Sequence, residues 1–135
     1  MALVIPNASE VKLLNNLLNI SAPTNTILHL YSNNLTPSST TVIGDVTETA
    51  SGGYAAITLT SSSWTVATSG GGITTASYAE RTFNITTSAT IYGYYITNLA
   101  GDLLWLERFT AAPFQLPGSG GQVLITSQLS LNSCA

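Results

Sequence analysis

One histidine, one cysteine, six carboxylates and three basic side chains are all that this 135-residue chain offers for acid–base, nucleophilic or metal chemistry. His29 is the sole imidazole, so a multi-histidine metal site cannot form within one chain, and any Ser-His-Asp arrangement would have to run through this residue. No GxSxG elbow occurs among the many serines. The carboxylates are Glu10, Asp45, Glu48, Glu80, Asp102 and Glu107, with no D-x-D-x-D-G loop among them. Asp45 and Glu48 are close enough in sequence to hold a cation loosely; solvated loop positions are the simpler reading. Gly70, Gly71 and Gly72 are followed by neither GK[ST] nor a helical pattern, so they read as a turn and not as a phosphate cradle. Cys134 stands alone and can form no intrachain disulfide. The expectation is a chain without catalytic residues, cofactor or metal.

The scarce charges are placed suggestively. Glu80 precedes Arg81 and Glu107 precedes Arg108. Neighbours in a strand project to opposite faces, so such couples pair across strands or across subunits and not with each other. Charged residues are 7% of the chain, against roughly 25% in ordinary soluble domains. Ser, Thr, Asn and Gly fill the polar positions, and mean hydropathy is positive. A neutral, hydroxyl-rich surface carrying surplus apolar residues is an assembly signal, because copies or partners must cover part of it. With a net charge of -3 and only Lys12, Arg81 and Arg108 as bases, no patch can neutralise several phosphates, so nucleic-acid binding is not expected. Residues 1–6 carry neither a basic leader nor a long apolar run, and the reading is of a soluble protein with no membrane partner. The Asn-x-Ser/Thr matches at Asn7, Asn19, Asn34 and Asn84 then have no secretory context. Tyr92, Tyr94, Tyr95, Trp64 and Trp105 could form a sugar-stacking platform, although core and interface packing accounts for them more simply.

The elements that would position these residues follow from periodicity. Asn7 can cap a helix with Glu10 three residues on, and Val11, Leu14 and Leu18 recur at helical spacing, which predicts one short helix over Ser9–Asn19. Leu13 and Leu17 widen its apolar stripe, so it must be covered on more than one side. From Thr26 onward, short alternating runs are separated by turn clusters at about 8–12 residue intervals. Thr26–Ser32 places Leu28 and Leu30 on one face, with His29 and Tyr31 on the other. Runs at Tyr54–Thr60, at Trp64 with Val66 on a common face, at Ile73–Ala79, Arg81–Thr86 and Thr90–Thr97 follow. Gly93 marks a bulge or a close backbone approach within the last of these. Asn98–Asp102 reads as a hairpin turn. Asp102–Phe109 is apolar on both faces, as in a central strand. Gln122–Asn132 keeps period two as one long strand. Eight or nine strands suit an all-β, two-sheet sandwich of jelly-roll type with one short N-terminal helix: an arm over residues 1–25 and a sandwich domain over 26–135.

The order of segments "LHLYSNNLTP", "GGYAAITLTSSSWTV", "ATIYGYYIT", "LLWLERF" and "GQVLITSQLSL" resembles small virion proteins encoded by tailed bacteriophages, over roughly Leu28–Leu131. The resemblance implies a β-sandwich, commonly a homotrimer, that decorates or cements the capsid and touches the major capsid protein, or less often belongs to a fibre. It transfers no active-site residue. The expected assembly contacts are Val11, Leu14 and Leu18 on the helix, outside the matched region, together with Arg81, Glu107 and Arg108. A tail-fibre or receptor-binding tip and a carbohydrate-binding module are the alternatives.

Overall fold

The computed structural model describes residues 3–17 and 24–132. Among these, one helix, α1 (Asn7–Leu17), precedes eleven strands: β1 (Thr26–Tyr31), β2 (Ile57–Leu59), β3 (Thr65–Thr68), β4 (Ile73–Ser77), β5 (Arg81–Ile85), β6 (Ala89–Ile91), β7 (Gly93–Asn98), β8 (Leu103–Arg108), β9 (Phe114–Leu116), β10 (Gly121–Ile125) and β11 (Gln128–Asn132). The fold is all-β and sandwich-like with one short helix, as the strand periodicity predicts. Strands outnumber the expected eight or nine because long alternating runs are interrupted. The Thr90–Thr97 run divides at Tyr92, and the Gln122–Asn132 run divides before Gln128. The Tyr54–Thr60 run pairs only over Ile57–Leu59.

All pairings are antiparallel, and four of them are nested: β7 with β8, β6 with β9, β5 with β10 and β4 with β11. Residues 73–98 therefore lie back along residues 103–132 as one long ribbon. Its tip is the expected turn at Asn98–Asp102, closed by the Asn98 N–H to Asp102 carbonyl bond at 3.1 Å, and Gly101 there takes φ +88°. The ribbon bends where its two sides differ in length. Tyr78, Ala79 and Glu80 on one side oppose only Thr126 and Ser127 on the other, an inserted residue that turns the strands. β1 then joins the free edge of β7, β2 joins β1, and β3 joins β4, giving sheets ordered β2-β1-β7-β8 and β11-β4-β3 beside the two-stranded β10-β5 and β6-β9.

Alternation fills the interior. Leu28 and Leu30 of β1, Tyr94 and Ile96 of β7, Phe83 and Ile85 of β5, and Val123 and Ile125 of β10 form the main core. The reverse side of the same four-stranded sheet carries a second buried cluster of Tyr31, Tyr95, Leu103 and Leu106, covered by Val4, Leu35, Val46 and Tyr92. This explains four consecutive buried residues from Leu103 to Leu106. It also corrects the placing of β8 as a central strand. β8 ends its sheet, and among the described residues beyond it lies only the isolated bridge of Val4 to Leu106. Both of its faces are covered because the N-terminal segment and α1 lie against it.

The helix starts two residues earlier than its apolar spacing predicts. The Pro6 carbonyl accepts the N–H groups of Ser9 and Glu10, at 2.8 and 3.1 Å, so Asn7 sits in the first turn and is not the cap. Leu13 packs on the main core, and the Ser9 hydroxyl donates to the Leu103 carbonyl at 2.5 Å. Trp64 stands outside β3 and meets Tyr78 and Trp105 edge-on, while Val66 is exposed, so the two do not share the buried environment that a common strand face would give them. No helix among the described residues is long and apolar enough to cross a membrane.

Gly93 is the close approach anticipated from sequence. A Cβ built there would meet the Glu107 carbonyl and lie 2.6 Å from Tyr31 Cε1. Gly70 has nothing within 4 Å of such a Cβ. Gly93→Ala should lower the unfolding free energy by about 2 kcal/mol or more through overpacking, whereas Gly70→Ala should change it by less than about 0.5 kcal/mol; urea denaturation of the two variants checks this contrast.

Candidate functional site

A polar network joining several segments is built around His29. On β1, Leu28 and Leu30 point into the main core, so period two sends His29 to the reverse side. The register places it opposite Tyr95, and the two rings stack at 4.5 Å and 10°. Nδ1 lies 2.8 Å from Glu48 Oε1 and Nε2 lies 3.0 Å from the Thr97 hydroxyl. A carboxylate only accepts, so Nδ1 carries the proton beside Glu48, and in the neutral ring Nε2 accepts from Thr97. Glu48 is brought there by its bridge to Tyr31, flanked by the Ser32 N–H to Thr47 carbonyl and Thr49 N–H to Leu30 carbonyl bonds. The Tyr54 hydroxyl donates to the same Glu48 oxygen at 2.7 Å and accepts the Leu30 N–H at 3.2 Å.

Carboxylate, imidazole and hydroxyl in a line have the geometry of a nucleophilic triad. A nucleophile must also meet its substrate. Thr97 is only 2% exposed, and it lines none of the three clefts described below. What the arrangement does is tie β1, β7 and the 46–49 loop together through hydrogen bonds. Burial pushes the Glu48 carboxyl up, but hydrogen bonds from His29, Tyr54 and Tyr95 and the adjacent imidazole outweigh it and hold the group below its ordinary value. Burial likewise pushes the Tyr31 phenol up to about 12, and with neighbouring Glu48 or Glu107 it raises Tyr54, Tyr94 and Tyr95, so these phenols stay uncharged donors. Nothing in the local sequence around His29 signals this network, since its members come from four separate segments joined only by topology.

The residues expected to make assembly contacts do not form one cluster. Val11 is 58% exposed on α1. Leu14 lies in the same helix, its side chain outside the described part, and Leu18 and Cys134 lie outside the described residues. Arg81 and Glu80 are exposed at the start of β5. Glu107 accepts the Tyr94 hydroxyl at 3.0 Å. Arg108 donates to the Leu35 carbonyl at 2.9 Å and sits 5.0 Å over the Tyr92 ring. The two acid–arginine couples thus do not pair with each other across strands; among the described residues neither arginine lies within ion-pair distance of a carboxylate. Asp45 accepts the Val42 N–H at 2.9 Å and is separately committed from Glu48. Lys12 reaches Asp102 at 3.3 Å, joining α1 to the ribbon tip, and hydrogen bonds from Asn98 and Lys12 lower the Asp102 carboxyl.

Tyr94, Tyr95 and Trp105 are buried, and Tyr92 is half-buried under Arg108, so these rings pack and offer no open platform. A cleft of about 590 Å³ is lined by Ser32, Thr49, Ser51, Ser88, Thr90 and Gln115, with alanines and Leu116 but no charge. A recess of about 330 Å³ follows Phe109, Phe114 and Leu124, and one of about 140 Å³ lies beside Ala8, Val42 and Ile43. Large apolar side chains at Val11, Val42, Ile43, Val66, Phe114, Leu124 and Leu131 are exposed on several elements.

A carboxyl held below its ordinary value in the folded state adds stability above the ordinary carboxylate range, and that stability is lost as pH falls through the folded value. Glu48→Gln should therefore be less stable than the parent near pH 6 and lose less of its urea midpoint between about pH 6 and pH 3. Parallel denaturation series at the two pH values measure both effects. No protein-family model matches the chain, and neither a curated protein nor a solved structure matches it.

Proposed function

We propose that this chain is a structural module of a tailed-phage virion that decorates and cements the capsid surface, as a homotrimer in contact with the major capsid protein. The observation that carries this reading is the surface. Large apolar side chains are exposed on α1, on the 3₁₀ turn Ile43–Asp45 and on β3, β9, β10 and β11, in a chain with 7% charged residues. Exposed apolar side chains on so neutral a surface suit a protein whose permanent contacts cover them. The sequence resemblance over Leu28–Leu131 points the same way. Cementing itself requires no chemistry: a protein that binds only the assembled shell stabilises that shell by mass action.

In this reading α1 supplies part of the capsid-facing side. Leu13 anchors it to the core, and Val11 faces outward. A second reading is a tail-fibre tip or a carbohydrate-binding module. It is favoured by the uncharged, hydroxyl-lined cleft at Ser32, Thr49 and Thr90, which could hydrogen-bond a neutral polyol, and it is disfavoured by the burial of the tyrosines that would stack on a sugar.

Copy number in purified virions, measured by quantitative mass spectrometry against the major capsid protein, separates these readings. Hundreds of copies in fixed ratio to the shell are expected; a handful would move the chain to the tail, and none would end the proposal. Val11→Glu should weaken capsid binding about fivefold or more, the equivalent of about 1 kcal/mol at an interface position, while leaving the thermal midpoint unchanged. Undiminished occupancy of that variant would remove α1 from the interface.

A further inference from the structure

The sheet β11-β4-β3 stands apart from the rest of the molecule. None of the residues in its three strands is charged. Paired residues project to one side, so Val66, Ala76 and Leu129 share a face with Thr68, Thr74 and Leu131. Leu129 packs against the main core, yet Val66 and Leu131 on the same face are 66% and 65% exposed. The inner face of this sheet thus runs past the core it covers. Its outermost strand, β3, is exposed at every residue. Among the described residues β3 pairs only with β4, so its outer edge carries unpaired backbone groups.

Exposed edges are normally blunted by shortness, lysine, proline, an inward charge or a bulge, and of these β3 has only its length of four residues. Residues 61–72 contain no charged residue and no proline, and β3 pairs with β4 in unbroken register from Thr65–Ser77 to Thr68–Thr74. An open, regular edge of this kind accepts an extended strand. Charge decides which strand. A chain of net charge -3 repels its own copies wherever its carboxylates gather, and this sheet is a surface where two copies meet without that repulsion. An acidic or basic partner finds no counter-charge here. The strand also suits itself. A twofold axis perpendicular to the sheet, passing beside Val66, sets Val66 against Val66 of the second copy and Thr65 against Ala67. The result is a continuous six-stranded sheet in which the most exposed large apolar side chain becomes covered.

We propose that the outer edge of β3 is a homotypic assembly edge, pairing antiparallel with β3 of a second copy about a twofold axis at Val66. If the chain decorates a shell as a trimer, this contact joins neighbouring trimers; it rests on that reading only for its setting, not for its geometry.

The test uses the purified full chain carrying Cys134→Ser, so that an added cysteine is the only thiol. Opposed residues in an antiparallel pair have Cα atoms about 4.5–5.5 Å apart, within the span a disulfide bridges. Under mild oxidation Val66→Cys should cross-link into dimers in the greater part of the protein. Leu124→Cys, 52% exposed on β10, should cross-link at least about fivefold less, as chance encounter alone allows. In sedimentation at about 100 μM, Val66→Lys should weaken the twofold pairing of chains or trimers at least about tenfold, leaving a trimer itself intact, and Leu124→Lys should leave that pairing unchanged. Both sites are more than half exposed, and an unaltered circular dichroism spectrum confirms that the variants fold. Equal cross-linking at the two positions, a parent protein that shows no twofold pairing of chains or of trimers, or twofold pairing that survives Val66→Lys would each overturn the proposal. Cross-linking at Val66 in a protein absent from virions would retain this contact and discard the capsid reading; abundant virion copies without cross-linking would do the reverse.

Discussion

The antiparallel pairing of residues 73–98 with residues 103–132 is the constraint from which the rest of the molecule follows. Once β7 lies against β8, its other edge is open for β1, and β1 in turn carries β2. The inward residues of β1, β7, β5 and β10 then have only one another to pack against. The sheet built on β7 needs cover on its reverse side too, because period two places Tyr31, Tyr95 and Leu106 there. The N-terminal segment supplies part of that cover, held by the two backbone bonds of Val4 with Leu106, so residues 3–17 complete the body while still presenting Val11 outward.

What sequence could reveal was whatever depends on neighbours along the chain. Alternation placed Leu28 and Leu30 inside, Phe83 with Ile85, and Val123 with Ile125, since a strand with one buried face must alternate. The turn at Asn98–Asp102 and the tight approach at Gly93 were legible for equally local reasons. The same local signal misled where cover came from elsewhere. Leu103–Leu106 are buried on both sides, which reads as centrality, yet the strand ends its sheet under a segment distant in sequence. The His29 network was not legible at all. His29, Glu48, Tyr54 and Thr97 are joined only after β1 has met β7 and the loop has closed over Tyr31. Helix spacing put Val11 on the apolar stripe, yet it is exposed while Leu13 packs on the core, and the start of the helix is set by the Pro6 carbonyl, for which the capping pattern at Asn7 was a decoy.

The scarcity of charge has two distinct outcomes in the structure. Around the four-stranded sheet, several of the few ionisable groups are absorbed individually: Glu107 by a tyrosine, Arg108 by a carbonyl and a ring, Glu48 by a histidine and a tyrosine. Outside, long stretches such as β3, β4 and β11 are left with hydroxyls that bond one another, as Thr68 with Thr74 and Thr75 with Ser130. Hydroxyl pairs of this kind satisfy polarity without the long-range field that ions carry, so the surface is wetted but electrostatically silent. Such a surface is selected by shape and by backbone bonding, and ionic strength has little hold on it.

The nested ribbon also orders the route by which the chain folds. Its outermost pair joins Ile73 to Asn132, a span whose direct closure from an open chain would be entropically slow. Nesting removes that difficulty. The Asn98–Asp102 turn brings β7 and β8 together locally, and each completed pair then shortens the loop that the next must close, from β6–β9 to β5–β10 to β4–β11. The contact that cannot be zipped is β1 with β7, which joins Thr26 to Asn98 across most of the chain. Docking of β1 thus closes a long loop with no nested pair to shorten it, and before it occurs the edge of β7 is unpaired and open to another strand.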